Sequence, residues 1–189
     1  MTENKYLILL RGINVGGNNI IKMNDLRSCF ESMGFKDVLT YIQSGNVLFK
    51  SDESDKTVLT NKIEKVLSER YNYKSRVIIL THQQLKKAVN EAPQGFGKDA
   101  DNYRYDVLFL KEPLTPDEVM KNLITKEGVD KAYSGESVLY FSRQKTRAGQ
   151  SYLTKIIALP VYQSISIRNW NTTTMLLTLM ERITTIATA

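Results

Sequence analysis

Tyr6-Leu7-Ile8-Leu9-Leu10-Arg11-Gly12-Ile13-Asn14-Val15-Gly16-Gly17-Asn18-Asn19 passes without a break from five apolar residues into a loop rich in glycine and asparagine. The apolar run has strand length and no helical period. Beyond the loop, Leu26, Cys29, Phe30 and Met33 fall at i, i+3, i+4 and i+7, one face of a helix. Asn24 is the expected cap. Gly34 is placed to end the helix in a left-handed conformation, with Phe35 supplying the accompanying apolar contact. Val38 to Ile42 and Val47 to Phe49 read as strands around a tight Gln43-Ser44-Gly45-Asn46 turn. A second helix carries Val58, Leu59, Ile63, Val66 and Leu67. Val77 to Leu80 is a fourth strand, which completes a β-α-β-β-α-β order.

A trailing helix follows, with Thr81 as cap and Gln84 three residues on, the pattern of a capping box. Its stripe is Leu85, Ala88, Val89 and Ala92. After the turn-forming stretch Ala92-Pro93-Gln94-Gly95-Phe96-Gly97-Lys98 the order recurs. Val107 to Leu110 is a strand, Thr115-Pro116-Asp117-Glu118 a helix start, and Ser134-Gly135-Glu136 a turn into the strand Val138 to Phe141. Leu153, Ile156 and Ile157 mark a short helix closed by Pro160. Ile165 to Arg168 is the last strand. The last helix is expected from an Asn171 cap, with Met175, Leu179, Met180 and Ile183 as its stripe.

This order is the ferredoxin-like unit. The expectation is an α+β protein with two tandem ferredoxin-like (βαββαβ) units, each followed by an extra helix. Unit one spans 1–92, a linker 93–102, and unit two 103–189. Several strands are apolar on both faces, so the halves, or two copies in a homo-oligomer, are expected to pack together.

The two units differ where their first strand meets their first helix. The second needs only Lys111-Glu112-Pro113-Leu114-Thr115, whereas twelve residues separate Arg11 from Asn24. The fold does not require the surplus, which makes it a candidate for function. In a ferredoxin-like unit the end of strand one neighbours the turn between strands two and three. Arg11, Asn14, Gly16, Gly17 and Asn18 are therefore expected beside Gln43, Ser44 and Asn46. Such a ledge offers a planar cation and backbone N–H groups to an anion. The competing reading is an interface or a self-satisfied structural loop, since glycine-rich junctions often serve only themselves. The loop is neither GxGxxG nor a P-loop.

A second patch collects Lys145, Arg147, Arg168, Asn169 and Trp170 near the segment Lys98 to Tyr103. Cations beside aromatic rings suit a phosphate or nucleobase platform. Against that, Trp170 is placed to staple onto Met175 as a core residue, and charged turns are commonly just solvated. Neither patch shows aromatics spaced like the stacking pair of an RNA-recognition motif.

Catalytic candidates are few. His82, the single histidine, falls in the first turn of a helix, and Cys29 lies on a buried stripe. No His, Cys and carboxylate cluster has metal-ligand spacing, and no cofactor is implied. The net charge of +6 permits an anionic partner. A lone cysteine fits a reducing compartment, and no stretch approaches the roughly 18 apolar residues of a membrane span. A cytoplasmic protein without a membrane role is the expectation.

The segments Leu9 to Gly17, Tyr41-Ile42-Gln43-Ser44-Gly45-Asn46-Val47 and Arg168-Asn169-Trp170-Asn171-Thr172, taken together, resemble the bacterial family called domain of unknown function 1697. The resemblance implies an α+β fold and a cytosolic bacterial protein, and it implies no activity. Three functions stay open. The first is a binder of a phosphate-bearing ligand, a nucleotide or single-stranded nucleic acid, at Arg11–Asn19. The second is an enzyme on a small anionic metabolite oriented by Arg11, Gln43, Ser44 and Asn46. The third is a protein–protein interaction module.

Overall fold

A computed structural model describes residues 4–14, 17 and 19–183. Eight strands form two four-stranded antiparallel sheets, ordered β2-β3-β1-β4 and β6-β7-β5-β8. Each is the ferredoxin-like order, and each is followed by a helix, so the expected architecture is the observed one.

In the first sheet β1 (Asn4–Leu10) lies between β3 (Asn46–Ser51) and β4 (Val77–Thr81), and β2 (Lys36–Tyr41) is the outer neighbour of β3. Tyr6, Ile8 and Leu10 alternate onto the face covered by α1 (Met23–Ser32) and α2 (Lys56–Tyr71), and pack with Leu26, Phe30, Ile63 and Leu67. Leu7 and Leu9 on the other face are also fully buried. That double burial is why the strand reads as an unbroken apolar run. Gly34 sits at φ +87° after α1, the left-handed exit that its sequence position called for.

Several local expectations change. Helix α1 begins at Met23 after Lys22, which makes no side-chain cap, so Asn24 lies inside the first turn and the junction is two residues shorter than expected. On α2 the buried stripe is Leu59, Ile63 and Leu67, while Val58 is exposed. The trailing helix α3 (His82–Asn90) has its capping box, with Gln84 N donating to Thr81 Oγ1 at 3.2 Å and Thr81 N to Gln84 Oε1 at 3.0 Å.

The second sheet comprises β5 (Tyr103–Leu110), β6 (Asp130–Ser134), β7 (Val138–Gln144) and β8 (Ile165–Asn169). Strand β5 starts four residues before the expected Val107. Helix α4 (Pro116–Met120) is one turn held by a complete Thr115–Glu118 capping box. The expected helix at Leu153–Ile157 is instead a run of 3-10 turns over Ala148–Gln150, Leu153–Ala158 and Pro160–Ser164. The burial follows from this winding. Leu153 and Ile156, three apart, are buried, whereas Ile157, four from Leu153, is 57% exposed. Pro160 starts the last of these turns rather than ending a helix.

The last helix, α5 (Trp170–Arg182), starts earlier than expected. Its cap is Asn169, whose Oδ1 accepts from Asn171 N at 3.0 Å, and Asn171 lies in the first turn. Leu176, Leu177 and Met180 are its buried apolar residues, while Met175 is 41% exposed. By contacts the chain divides into Met1–Leu85 with Leu176–Ala189, and Lys86–Met175. The end of α5 joins the first unit because Lys5 Nζ donates to Met180 O at 3.2 Å and Glu181 stands 3.8 Å from His82 Nε2. A chain cut at 92/93 assigns that segment to the second unit.

Candidate functional site

The end of β1 is held on both sides. Leu10 N donates to Gly45 O at 2.8 Å, on the turn between β2 and β3. Arg11 N donates to Arg76 O at 3.1 Å, just before β4. The β1–β4 register pairs Leu10 with Val77, and this bond continues it by one residue, so Arg11 stands opposite Arg76. The turn after β2 presses closely on the loop. A Cβ on Gly45, at φ +71°, would meet Ile13 Cδ1 at 2.7 Å and Leu10 Cβ at 2.8 Å. Only glycine allows that approach.

The loop is anchored by Ile13 and Ile21, each 2% exposed. Asn14, at φ +53°, clamps it. Its Oδ1 accepts from Ile21 N at 2.8 Å, and its Nδ2 donates to Ile21 O at 3.1 Å and to Gln43 O at 2.9 Å. Asn19 Nδ2 donates to Gly12 O at 2.7 Å, which closes the loop on itself. Asn46 is fully buried, and its Nδ2 donates to Tyr41 O and to Ser44 Oγ, each at 2.9 Å. Asn14, Gln43, Ser44 and Asn46 therefore do come together, but the amides of Asn14 and Asn46 hold main chain. Gly17 and Gln43 are exposed, and Arg11 and Ser44 are half-buried. Gly16 and Asn18 lie outside the described residues. Arg76 joins this ledge without having been singled out from the sequence, because placing it there requires the β1–β4 register.

The second patch is split by β5. Lys145 and Arg147 follow β7, whereas Arg168, Asn169 and Trp170 end β8 and begin α5. Lys145 N donates to Asn102 O at 2.8 Å, and Arg147 braces its turn through Gly128 O at 3.4 Å and Gln150 Oε1 at 3.1 Å. Arg168 is 8% exposed and donates to Ser166 Oγ and Ile167 O, both at 2.9 Å. Asn169 Nδ2 donates to Tyr105 O at 3.2 Å, while its Oδ1 caps α5. Trp170 is half-buried rather than a core residue and meets the Phe96 ring edge-on, 5.2 Å between centroids.

Two titratable groups carry physical information. Asp106 is buried beside Arg143, whose Nη2 lies 3.4 Å from its Oδ2, yet loss of solvation outweighs the cation and raises its carboxyl above the usual range. Cys29 is fully buried, and burial pushes its thiol up, which suits a packing role. Among the described residues no group of three or more His, Cys, Asp or Glu is arranged to hold a metal ion, and no helix is long and apolar enough to cross a membrane.

No curated protein matches the chain. A solved structure, that of conserved bacterial protein SP0830 from Streptococcus pneumoniae, is 26% identical and superposes with a TM-score of 0.83, covering 95% of this chain and 99% of its own. Residues 3–140 match the family described as "Protein of unknown function (DUF1697)". That span takes in the arginine- and glycine-bearing loop, the Gln43–Asn46 turn and most of the second sheet, and the chain belongs to the DUF1697 family.

Proposed function

We propose that the protein binds a phosphate-bearing ligand, a nucleotide or a short single-stranded nucleic acid, at the end of the first sheet. The observation that carries this is the opposition of Arg11 and Arg76 across β1 and β4. Like charges directly opposite one another on a sheet repel, and an anion between them turns that repulsion into two attractions. The exposed Gln43 and the half-buried Ser44 lie on the turn whose Gly45 carbonyl accepts from Leu10 N, next to Arg11, so a ligand has polar groups to meet. The Asn14 and Asn46 clamps hold these residues in place before any ligand arrives, which lowers the ordering cost of binding. The tandem repetition of one sheet order fits a duplicated ancestor in which one copy gained the longer loop. The lone buried Cys29 fits a reducing cytoplasm.

Thermal shift tests the reading with ADP, GMP, ribose 5-phosphate and a short RNA against wild type, Arg11→Ala and Arg76→Ala. A ligand at about 100 times its Kd stabilises by ~2.7 kcal/mol, which raises Tm by roughly 5–10 °C for a chain of this size. The expected result is a shift in wild type that both substitutions remove. No shift with any probe, or one that both variants retain, overturns it.

A further inference from the structure

The face of the second sheet turned away from the Leu108, Leu139 and Phe141 core divides in two. On one half Val107 and Phe109 are fully buried, and Tyr140 Oη donates to Ala88 O at 2.9 Å. On the other half the same face carries Tyr103 and Tyr105 of β5, Ser142 of β7, and Lys131 and Tyr133 of β6. Register fixes their neighbours: Tyr105 is opposite Ser142, and Ser142 is opposite Lys131. These residues line a groove of about 170 Å³, walled along one side by the 93–96 segment.

The rings are held as well as displayed. Phe96 meets Tyr105 edge-on at 4.8 Å between centroids, and Tyr103 lies 6.2 Å from Tyr105 at an interplanar angle of 39°. Tyr103 and Tyr105 remain half-exposed, Tyr133 is 41% exposed, and Lys131 is exposed. Accessible rings on one face of a sheet, on strands either side of β7, with a cation alongside, are the elements of a base-stacking platform.

We infer that this groove stacks a base of single-stranded nucleic acid, with Lys131 beside the backbone phosphate. Its volume is below the roughly 300–1,000 Å³ of sites that enclose a whole small molecule. One planar ring enters, and the rest of the ligand stays outside. A free nucleotide held so partially gains little, whereas a strand continues across a surface whose net charge, +6 over the chain, favours polyanions. A duplex keeps its bases stacked inside and presents none to the groove. The inference stands on residues other than the Arg11–Arg76 pair, and either can fail alone.

Fluorescence anisotropy of a labelled oligouridylate of about a dozen nucleotides tests it, with wild type, Tyr103→Ala, Tyr133→Ala and Lys131→Glu. Tyr105 is left intact because Phe96 leans on it, and circular dichroism confirms that each variant is folded. Wild type is expected to bind, and each tyrosine substitution to weaken binding by about 5- to 150-fold. Lys131→Glu is expected to weaken binding and flatten its salt dependence. Absence of binding by wild type overturns the inference, as does indifference to both tyrosine substitutions. Equal competition by UMP or by the oligouridylate–oligoadenylate duplex overturns the single-stranded occupant.

Discussion

The backbone of Gly97 presses against the indole of Trp170: a Cβ on that glycine would stand 2.2 Å from Nε1 and 2.3 Å from Cδ1. The segment joining α3 to β5 is thereby seated on the ring that opens α5, next to Phe96. Gly95, two residues earlier, shares the left-handed backbone at φ +80° but would meet nothing within 4 Å.

The two glycines separate strain from collision. Gly95→Ala is expected to cost about 1–2 kcal/mol from the left-handed conformation alone. Gly97→Ala adds overpacking against Trp170 and is expected to cost about 2–5 kcal/mol in all. Urea titration of both variants checks this through the difference in midpoints. Equal losses would mean that the indole yields freely.

Asn14 makes a second stability test, with an unusual order of outcomes. Its side chain makes three hydrogen bonds from a positive-φ residue. Asn14→Ala is expected to cost about 2–4 kcal/mol, from lost bonds and a strained backbone. Asn14→Gly loses the same bonds without the strain, so it should be milder by about 1 kcal/mol. Asn14→Asp keeps an acceptor for Ile21 N but turns carboxylate oxygen toward the Ile21 and Gln43 carbonyls, and it should resemble the alanine variant at neutral pH. Chemical denaturation that ranked alanine above glycine would contradict the clamp.

These examples show which features were legible in the sequence. Strand order, both capping boxes and the Gly34 exit depend on local pattern, so residues such as Thr81 and Gln84 revealed them directly. The ledge was legible as a neighbourhood, because a ferredoxin-like topology brings Asn14 to Gln43. How its side chains are used was not. Asn14 and Asn46 look like ligand-binding amides until their carbonyl partners are known. Arg76 needed the β1–β4 register, and Trp170 needed the position of Gly97. The tyrosine groove did leave a signal, since Tyr103 and Tyr105 alternate around Arg104 as strand residues do. Starting β5 at Val107 hid it.

The arginine pair is expected to reveal itself without any ligand. Exchanging Arg76 for glutamine keeps a polar side chain and removes one of two facing charges. Arg76→Gln should therefore stabilise the ligand-free protein by about 0.2–1 kcal/mol at low ionic strength, and the gain should shrink in high salt as screening shortens the reach of the repulsion. Urea midpoints of both proteins at two salt concentrations are the measurement. A salt-independent loss of stability would assign Arg76 to packing.

Buried phenols give the chain an alkaline limit. Burial, reinforced by the nearby Cys29, pushes Tyr71 up to about 12, and burial does the same for Tyr140, again to about 12. Both start from an ordinary value of 10.0, so the folded state favours the neutral phenol. Their contribution is complete below pH 10 and is lost as pH rises from there toward 12, where the unfolded chain releases protons that the folded one retains. In an ultraviolet titration these two phenols should lag behind their ordinary value of 10.0 and appear together with unfolding. Tyr140→Phe should remove one lagging phenol. It should also cost about 1 kcal/mol at neutral pH, because Ala88 O loses the donor that it has at 2.9 Å. If Tyr71 and Tyr140 instead titrate reversibly near 10 while the far-ultraviolet spectrum stays native, these two hydroxyls are open to water and the burial assigned to them is wrong.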